Sequence, residues 1–173
     1  MNNPKIYQDA PEYSHYFFDL VPTDNLLEEL KQSRDFTLAF LDSLPAYKED
    51  FAYAPEKWTI KEVIRHIIDC ERVYTYRALR FSRFDATELA GFDENTYMTP
   101  LKNLTYSLAD LREEYTAVRN ATLALYQNMT DEMLDFKGTA NGVSFTARSL
   151  GFMAVGHNLH HIRFVQNNYL NKP

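Results

Sequence analysis

Three of the five histidines stand close together near the end of the chain, at His157, His160 and His161. His157 and His161 are four residues apart, and two imidazoles at that spacing on one helix can reach a single cation. His160, three residues after His157, is a geometrically allowed substitute on the other flank of the same arc. The surrounding apolar pattern predicts that all three point into the core. Spacing alone leaves a metal-free cluster open, because no adjacent glutamate completes a zinc-protease motif.

His66 is the candidate for a third ligand. It lies about 75° from the centre of the apolar stripe of its predicted helix, at an edge of the core that can meet the last helix. Three protein ligands with one position left open for water or substrate are typical of catalytic zinc sites, whereas structural sites are closed by four. His15 stands in an aromatic N-terminal segment and is interpreted as structural.

A metal ion on these histidines could activate either of two nucleophiles. It lowers the pKa of bound water toward neutrality, which suits hydrolysis, or it binds a thiol as the thiolate for attack on an electrophile. Cys70, one turn after His66, is interpreted as a packing residue, with a role as fourth ligand or redox group left open. Acidic residues near His66 and in the following loop are the candidates for a general base. They are Glu62, Asp69, Asp93 and Glu94.

The charge and cysteine content exclude several classes of protein. The chain carries 18 Lys and Arg against 24 Asp and Glu, a formal net charge of −6, and it has no basic block. Nucleic acid binding requires clustered cations, so we expect none. Cys70 is the only cysteine, which excludes disulfides within the chain and multi-cysteine zinc sites. No apolar run has the length of a membrane span and no signal peptide is recognisable, so we expect a cytoplasmic protein without membrane contact.

The proline positions predict a helical domain. The seven prolines leave long windows that show the 3.6-residue period of amphipathic helices. A capping box, with Thr59 as the cap and Glu62 three residues later, marks the start of the second helix, and Ser107 with Asp110 forms a weaker one. The predicted helices cover about 23–44, 59–84, 107–129 and 146–170, with a turn at 130–134, a loop at 137–142 and no strands. We therefore expect a single all-α domain over residues 1–173, with 1–22 as an arm packed on the bundle.

Two connecting features carry further expectations. The link between the second and third helices, about 85–105, is longer than most loops in a compact domain; it is either functional or a plain surface crossover. The last helix is also apolar opposite its histidines, so a neighbouring helix or a second subunit must cover that face. Gly151 and Gly156 would allow such an element to approach closely. The residues of the second face are Phe152, Val155, Leu159 and Ile162.

Taken in order, these motifs resemble the DinB/YfiT-like superfamily. The resemblance rests on the segment APEKWTIKE at 54–62, on His66 after it, and on the segment GHNLHH at 156–161. It covers nearly the whole chain. It implies an up-down-down-up four-helix bundle with a long crossover between the second and third helices, usually as a homodimer. It also implies one divalent metal ion, zinc or nickel, held by His66, His157 and His161.

The resemblance also carries an expectation of activity. Some members of the superfamily are thiol-dependent transferases and isomerases that use low-molecular-weight thiols, and others are described as metal-dependent hydrolases. We therefore expect a metal-dependent enzyme that acts on a small molecule, either a hydrolase or a thiol S-transferase. The alternative is a non-catalytic, dimeric metal-binding bundle in a stress response. An open coordination position favours the enzyme, whereas a shell closed by four protein ligands favours the alternative.

Overall fold

The computed structural model describes residues 4–101 and 104–170 and contains four long helices within them. They are α3 (Leu26–Ser43), α4 (Ile60–Ser82), α6 (Leu108–Tyr126) and α8 (Ala147–Val165). The shorter elements are α1 (Pro4–Gln8), α2 (Glu12–Asp19), α5 (Glu94–Met98), α7 (Asp131–Asp135), β1 (Lys137–Ala140) and β2 (Val143–Thr146). Residues 1–3 of the predicted arm and 102–103 of the predicted crossover lie outside the described residues. No described helix is both long and apolar enough to cross a membrane.

Helix α4 begins where its sequence predicts. The Thr59 backbone N–H donates to the Glu62 carboxylate at 2.7 Å, and the Glu62 N–H donates to the Thr59 hydroxyl at 3.2 Å. Ser107 and Asp110 form the same reciprocal pair at the start of α6. These bonds satisfy N–H groups that the first turn of a helix leaves without partners. The starts of these two helices are therefore set by local sequence.

Two pairs of long helices run parallel. Leu26 of α3 lies against Gly151 of α8, and further along both helices Thr37 exchanges hydrogen bonds with Asn158. The residue numbers rise together, so α3 and α8 have the same direction. The same holds for α4 and α6, whose contacts run from Arg65 with Glu114 to Thr75 with Thr122.

Helices α4 and α8 run antiparallel, which completes the topology. Just beyond α8, the Tyr169 hydroxyl donates to the Trp58 carbonyl in front of α4 at 2.8 Å, whereas Tyr74, later in α4, packs against His157. The long helices are therefore arranged up-down-down-up, as predicted. Because the consecutive helices α4 and α6 are parallel, the chain must return along the bundle between them, which explains the length of the crossover.

The predictions of a loop throughout 137–142 and of no strands are wrong, although the turn at Asn141 and Gly142 is present. Strands β1 and β2 form an antiparallel hairpin, and its turn residues Asn141 and Gly142 have φ values of 55° and 72°. This is the left-handed backbone that an Asn-Gly hairpin turn requires. The crossover joins the hairpin at Leu89, whose N–H donates to the Thr139 carbonyl at 3.0 Å. Strands this short do not show a clear alternation of apolar and polar residues, so the sequence pattern does not predict them. Their pairing depends on contacts with distant segments.

The N-terminal segment packs on α8. At Gly156, an added Cβ would lie only 2.0 Å from the carbonyl oxygen of Phe17 in α2, so glycine permits this close approach. The second apolar face of α8 is buried within the chain. That face therefore needs no second subunit, and formation of a homodimer stays a prediction from the resemblance.

A buried ion pair joins α3, α4 and α6. Arg119 is fully buried, and its guanidinium donates to both carboxylate oxygens of Glu71, at 2.7 and 2.9 Å. Its Nη1 donates to the Leu30 carbonyl at 3.0 Å and to the Ser33 hydroxyl. The Thr122 hydroxyl donates to Glu71 at 2.8 Å. This network is not among the features predicted from the sequence, although an arginine three residues before Thr122 on the core face of a helix is a signal of buried pairing.

Candidate metal centre

Helices α4 and α8 bring three histidines together. His66 Nε2 lies 3.0 Å from His157 Nε2, and His161 Nε2 lies 3.1 Å from the same His157 atom. All three offer a ring nitrogen, and these nitrogens lie within 4.8 Å of one another. The structure thus brings together the three histidines that the sequence selects as ligands.

The two helices position these side chains in different ways. His157 and His161 share a face of α8 because residues four apart on a helix lie one above the other. Between them, the buried Asn158 amide donates to the Thr37 hydroxyl of α3 at 2.8 Å. This bond fixes the orientation of α8 about its own axis. His66 reaches the pair only because α4 packs antiparallel on α8. The third nitrogen is therefore supplied by tertiary packing.

The three ring nitrogens cannot satisfy one another by hydrogen bonding. A neutral imidazole nitrogen has either one hydrogen or one lone pair in the ring plane. His157 Nε2 faces two other nitrogens, so only one of its two contacts can be a full hydrogen bond. A cation between them would receive three lone pairs instead, and separations of 3.0 and 3.1 Å are compatible with metal–nitrogen distances of about 2.0–2.1 Å. The donor set fits a divalent metal ion.

Burial keeps these imidazoles neutral. It lowers the pKa of His66 to about 4 and that of His161 to about 2, and repulsion from His66 and His160 adds to the effect on His161. Burial, followed by repulsion from the other histidines, also holds the pKa of His157 well below its ordinary value. At neutral pH the three side chains are therefore in the state that metal ligation requires.

A cavity of about 350 Å³ opens beside the three histidines. Its volume is in the range of small-molecule sites. Aromatic rings form much of its wall: Trp58 packs on His66 with ring centres 4.9 Å apart, and Phe17 and Tyr74 pack on His157 at 5.6 and 5.7 Å. The cluster is thus accessible to a small molecule through this cavity.

Glu94 is the one candidate base that lines this cavity. Its charge raises the pKa of His66, against the larger effect of burial. Glu62 is held in the capping box of α4, and Asp93 caps α5 by accepting the N–H groups of the first turn. Asp69 lies 3.9 Å from an Arg72 nitrogen, and burial raises its pKa. Of the four acidic residues, the geometry therefore favours Glu94.

The other candidates have local roles. His160 lies outside the cluster, with its Nδ1 3.0 Å from the Tyr16 hydroxyl. The Cys70 sulfur lies 3.6 Å from His66 Nδ1, and burial raises the pKa of this thiol to about 12, so it remains protonated and packs as an apolar group. The Nε2 atom of His15 lies 3.0 Å from a backbone carbonyl of the N-terminal segment, which agrees with a structural role.

Comparison with known proteins identifies the family. Residues 29–165 match the sequence profile of the DinB superfamily, whereas no curated protein matches the chain. YfiT from Bacillus subtilis, described as a probable metal-dependent hydrolase with an unusual four-helix bundle topology, has a TM-score of 0.65 at 16% identity over 91% of this chain and 86% of YfiT. The DinB-like protein YjoA from Bacillus subtilis has a TM-score of 0.61 at 18% identity over 86% of this chain and 92% of YjoA. With a profile match over most of its length and a shared bundle topology, the chain belongs to the DinB superfamily.

Proposed function

We propose that the chain is a metal-dependent hydrolase of small molecules, with His66, His157 and His161 as the metal ligands. The observation that carries this proposal is the convergence of three neutral ring nitrogens, two of them on buried histidines and one on the half-buried His161, beside an accessible cavity. The description of YfiT as a probable metal-dependent hydrolase supports it. His66, His157 and His161 would hold a divalent ion with a position left open, and such an ion would supply a water of near-neutral pKa for attack on a substrate.

Glu94 is the proton acceptor in this proposal. Glu94 is an exposed residue that lines the cavity and, among the described residues, forms no ion pair. In hydrolysis, the oxygen of water adds to the carbonyl carbon of the substrate and the bond to the leaving group breaks. The Glu94 carboxylate accepts the proton of the attacking water and then passes it to the leaving group. The reaction requires no reactant other than water and the substrate.

We favour water over a low-molecular-weight thiol as the nucleophile because of Glu94. A metal ion deprotonates a coordinated thiol outright, so S-transfer would need no carboxylate at this position. This choice would be reversed if the wild type showed no hydrolytic activity and Glu94→Gln retained thiol transfer to an electrophile. Zinc and nickel both suit imidazole ligands, and the donor set does not distinguish them.

Metal analysis of protein purified without an affinity tag tests the ligand set. We expect one zinc or nickel ion per chain in the wild type and loss of that ion in both His66→Ala and His157→Ala. His160→Ala is the matched control, because it removes an imidazole from the same helix outside the cluster. Absence of stoichiometric metal after reconstitution with either ion would contradict the proposal.

A second experiment separates an enzyme from a non-catalytic metal-binding bundle. A panel of small esters and amides is tested for hydrolysis with the metal-loaded wild type, Glu94→Gln and Glu88→Gln. We expect Glu94→Gln to lower kcat about 100-fold or more with an unchanged metal content, as for loss of a general base. Glu88, an exposed residue of the same crossover, is the control. Metal binding without any hydrolysis or thiol transfer would favour the non-catalytic alternative.

A further inference from the structure

Arg77 of α4 is a buried arginine without a carboxylate partner. The residue is only 6% exposed, and its Nη2 donates to the Ala90 carbonyl at 2.9 Å. The guanidinium also lies over the Phe92 ring, 5.6 Å from its centre. No carboxylate of the described residues lies within ion-pair distance of it, and none of the remaining residues is Asp or Glu.

The chain pairs its other buried arginine differently. Arg119 is held by both oxygens of Glu71, which compensates the cost of removing two charges from water. Arg77 uses one of five N–H groups on a protein acceptor, and burial lowers its pKa. A guanidinium that is buried for purely structural reasons would be expected to have a counter-charge. The remaining donors of Arg77 are available to a ligand.

The surroundings of Arg77 connect it with the histidines. It lines a cavity of about 180 Å³ that shares Tyr74, Phe92, Glu94 and Met153 with the cavity beside the metal cluster. Along α4, Arg77 follows His66 by eleven residues, about 16 Å of helix, and side chains on a helix tilt toward its N-terminus. A molecule held at Arg77 can therefore extend along the shared wall toward the histidines.

The charge of this second cavity indicates which class of ligand it can bind. Among the described residues that line it, Arg77 is the only cation, and Glu94 adds a negative charge on the side of the histidines. One guanidinium matches one carboxylate, because its planar fork can donate two parallel hydrogen bonds. A phosphate dianion would require more positive charge than the cavity provides.

We propose that Arg77 binds a carboxylate of the substrate, so that the substrate is a small carboxylic acid with an ester or amide bond placed at the histidines. The position of that bond rests on the proposed hydrolase function, whereas the carboxylate site itself does not. Arg77 is thereby a specificity-determining residue. Tyr13 and Asn141, which line the same cavity, supply further hydrogen-bonding groups near the carboxylate.

Calorimetric titration with hippurate and with its neutral amide tests this site. The two probes differ only in the carboxylate, and each is titrated into metal-free and metal-loaded protein. We expect hippurate to bind once per chain, about tenfold or more tightly than the amide. Arg77→Gln should abolish this preference. Arg72→Gln, which removes an exposed arginine of the same helix, should retain it, and so should metal-free His157→Ala.

Several outcomes would overturn the proposal. These are equal affinity for both probes, no binding of either probe, unchanged affinity for hippurate in Arg77→Gln, and tighter binding of inorganic phosphate than of hippurate. Hippurate binding that disappears with the metal but survives Arg77→Gln would place the carboxylate on the ion and would also overturn it. Arg77-dependent binding in a protein without metal or hydrolysis would contradict the proposed function alone.

A second variant covers the case in which Arg77→Gln does not fold. Circular dichroism establishes whether it does. Tyr13→Phe removes a single hydroxyl from an exposed residue of the cavity wall and is expected to fold normally. It should weaken the binding of hippurate while leaving that of the neutral amide unchanged. An equal effect on both probes would count against the site.

Discussion

Helix α4 contributes to two buried polar clusters that differ in how their polar atoms are satisfied. Glu71 joins Arg119 in a network whose partners all come from the chain itself. His66, five residues earlier, joins His157 and His161, whose nitrogens face one another beside a cavity. A closed network is what a folded core requires. An open one indicates that the missing partner comes from outside the chain.

Whether buried polar atoms find partners within the chain distinguishes structural polar groups from functional ones, whatever the residue type. Histidine and arginine occur in cores for both reasons, so burial alone is not informative. The number of donors and acceptors left without a partner is informative, because each costs free energy in the folded protein. By this criterion the histidine cluster fits the ligand site that we propose, whereas the Glu71–Arg119 network holds the helices together.

Arg119→Met should break the closed network with the largest loss of stability. It leaves the Glu71 carboxylate buried without a counter-charge, which is expected to lower the free energy of unfolding by about 3–5 kcal/mol. Urea denaturation measures the change, with the exposed Arg83→Met as the control. The double variant Arg119→Met/Glu71→Leu should recover much of the loss. A single variant as stable as the control would show that the network contributes little.

Metal addition should stabilise the protein only through the open cluster. With free metal at about 100 times its Kd, the free energy of unfolding of the wild type should rise by about 2.7 kcal/mol, because the ion binds the folded state. His157→Ala should show no such gain. Arg119→Met should show the same increase as the wild type, although its free energy of unfolding without metal is lower. Urea denaturation with and without metal measures these changes. Loss of the gain in Arg119→Met would mean that the two clusters are coupled.

Acidification should destabilise the metal-free protein through the same histidines. Their folded pKa values lie below the ordinary value near 6.5, at about 4 for His66 and about 2 for His161. As the pH falls below 6.5, the unfolded chain binds protons that the folded chain does not, and the cost for each such histidine approaches about 1.4 kcal/mol per pH unit.

The variant His66→Ala isolates one histidine in this pH dependence. Between pH 6.5 and 5.5, its stability should decline by about 1 kcal/mol less than that of the wild type. Arg119→Met removes no histidine and should keep the wild-type slope. Urea denaturation of chelator-treated protein at the two pH values provides the measurement. Identical slopes for His66→Ala and the wild type would refute neutral burial of His66.

The parts of the fold that depend on neighbouring residues were predictable from sequence. The capping box of Thr59 and Glu62 is formed by residues three apart, and the pairing of His157 with His161 follows from one turn of helix. The histidine set was predictable only in part, because His66 lies 91 residues before His157. Its assignment came from the family resemblance as well as from its place at the edge of a stripe.

Other features depend on contacts that no local pattern encodes. The hairpin is joined to Leu89 of the crossover, about fifty residues earlier in the chain, so its short strands could not be recognised alone. Arg119 stands on the core face of α6, but its partner Glu71 lies on another helix. Sequence alone left four acidic residues equivalent as bases, and the path of the crossover brings Glu94 to the cavity.

The sequence by itself determined the positions of the long helices and the faces that they bury, because helical hydrogen bonds and side-chain periodicity act within a few residues. It also determined the pair of histidines on one face of α8. Only the tertiary structure decided that His66 completes the cluster, that Glu94 faces it and that Arg77 has no counter-charge. Each of these depends on how α4, α8 and the crossover pack, and that packing is the sum of many weak contacts between residues far apart in the chain.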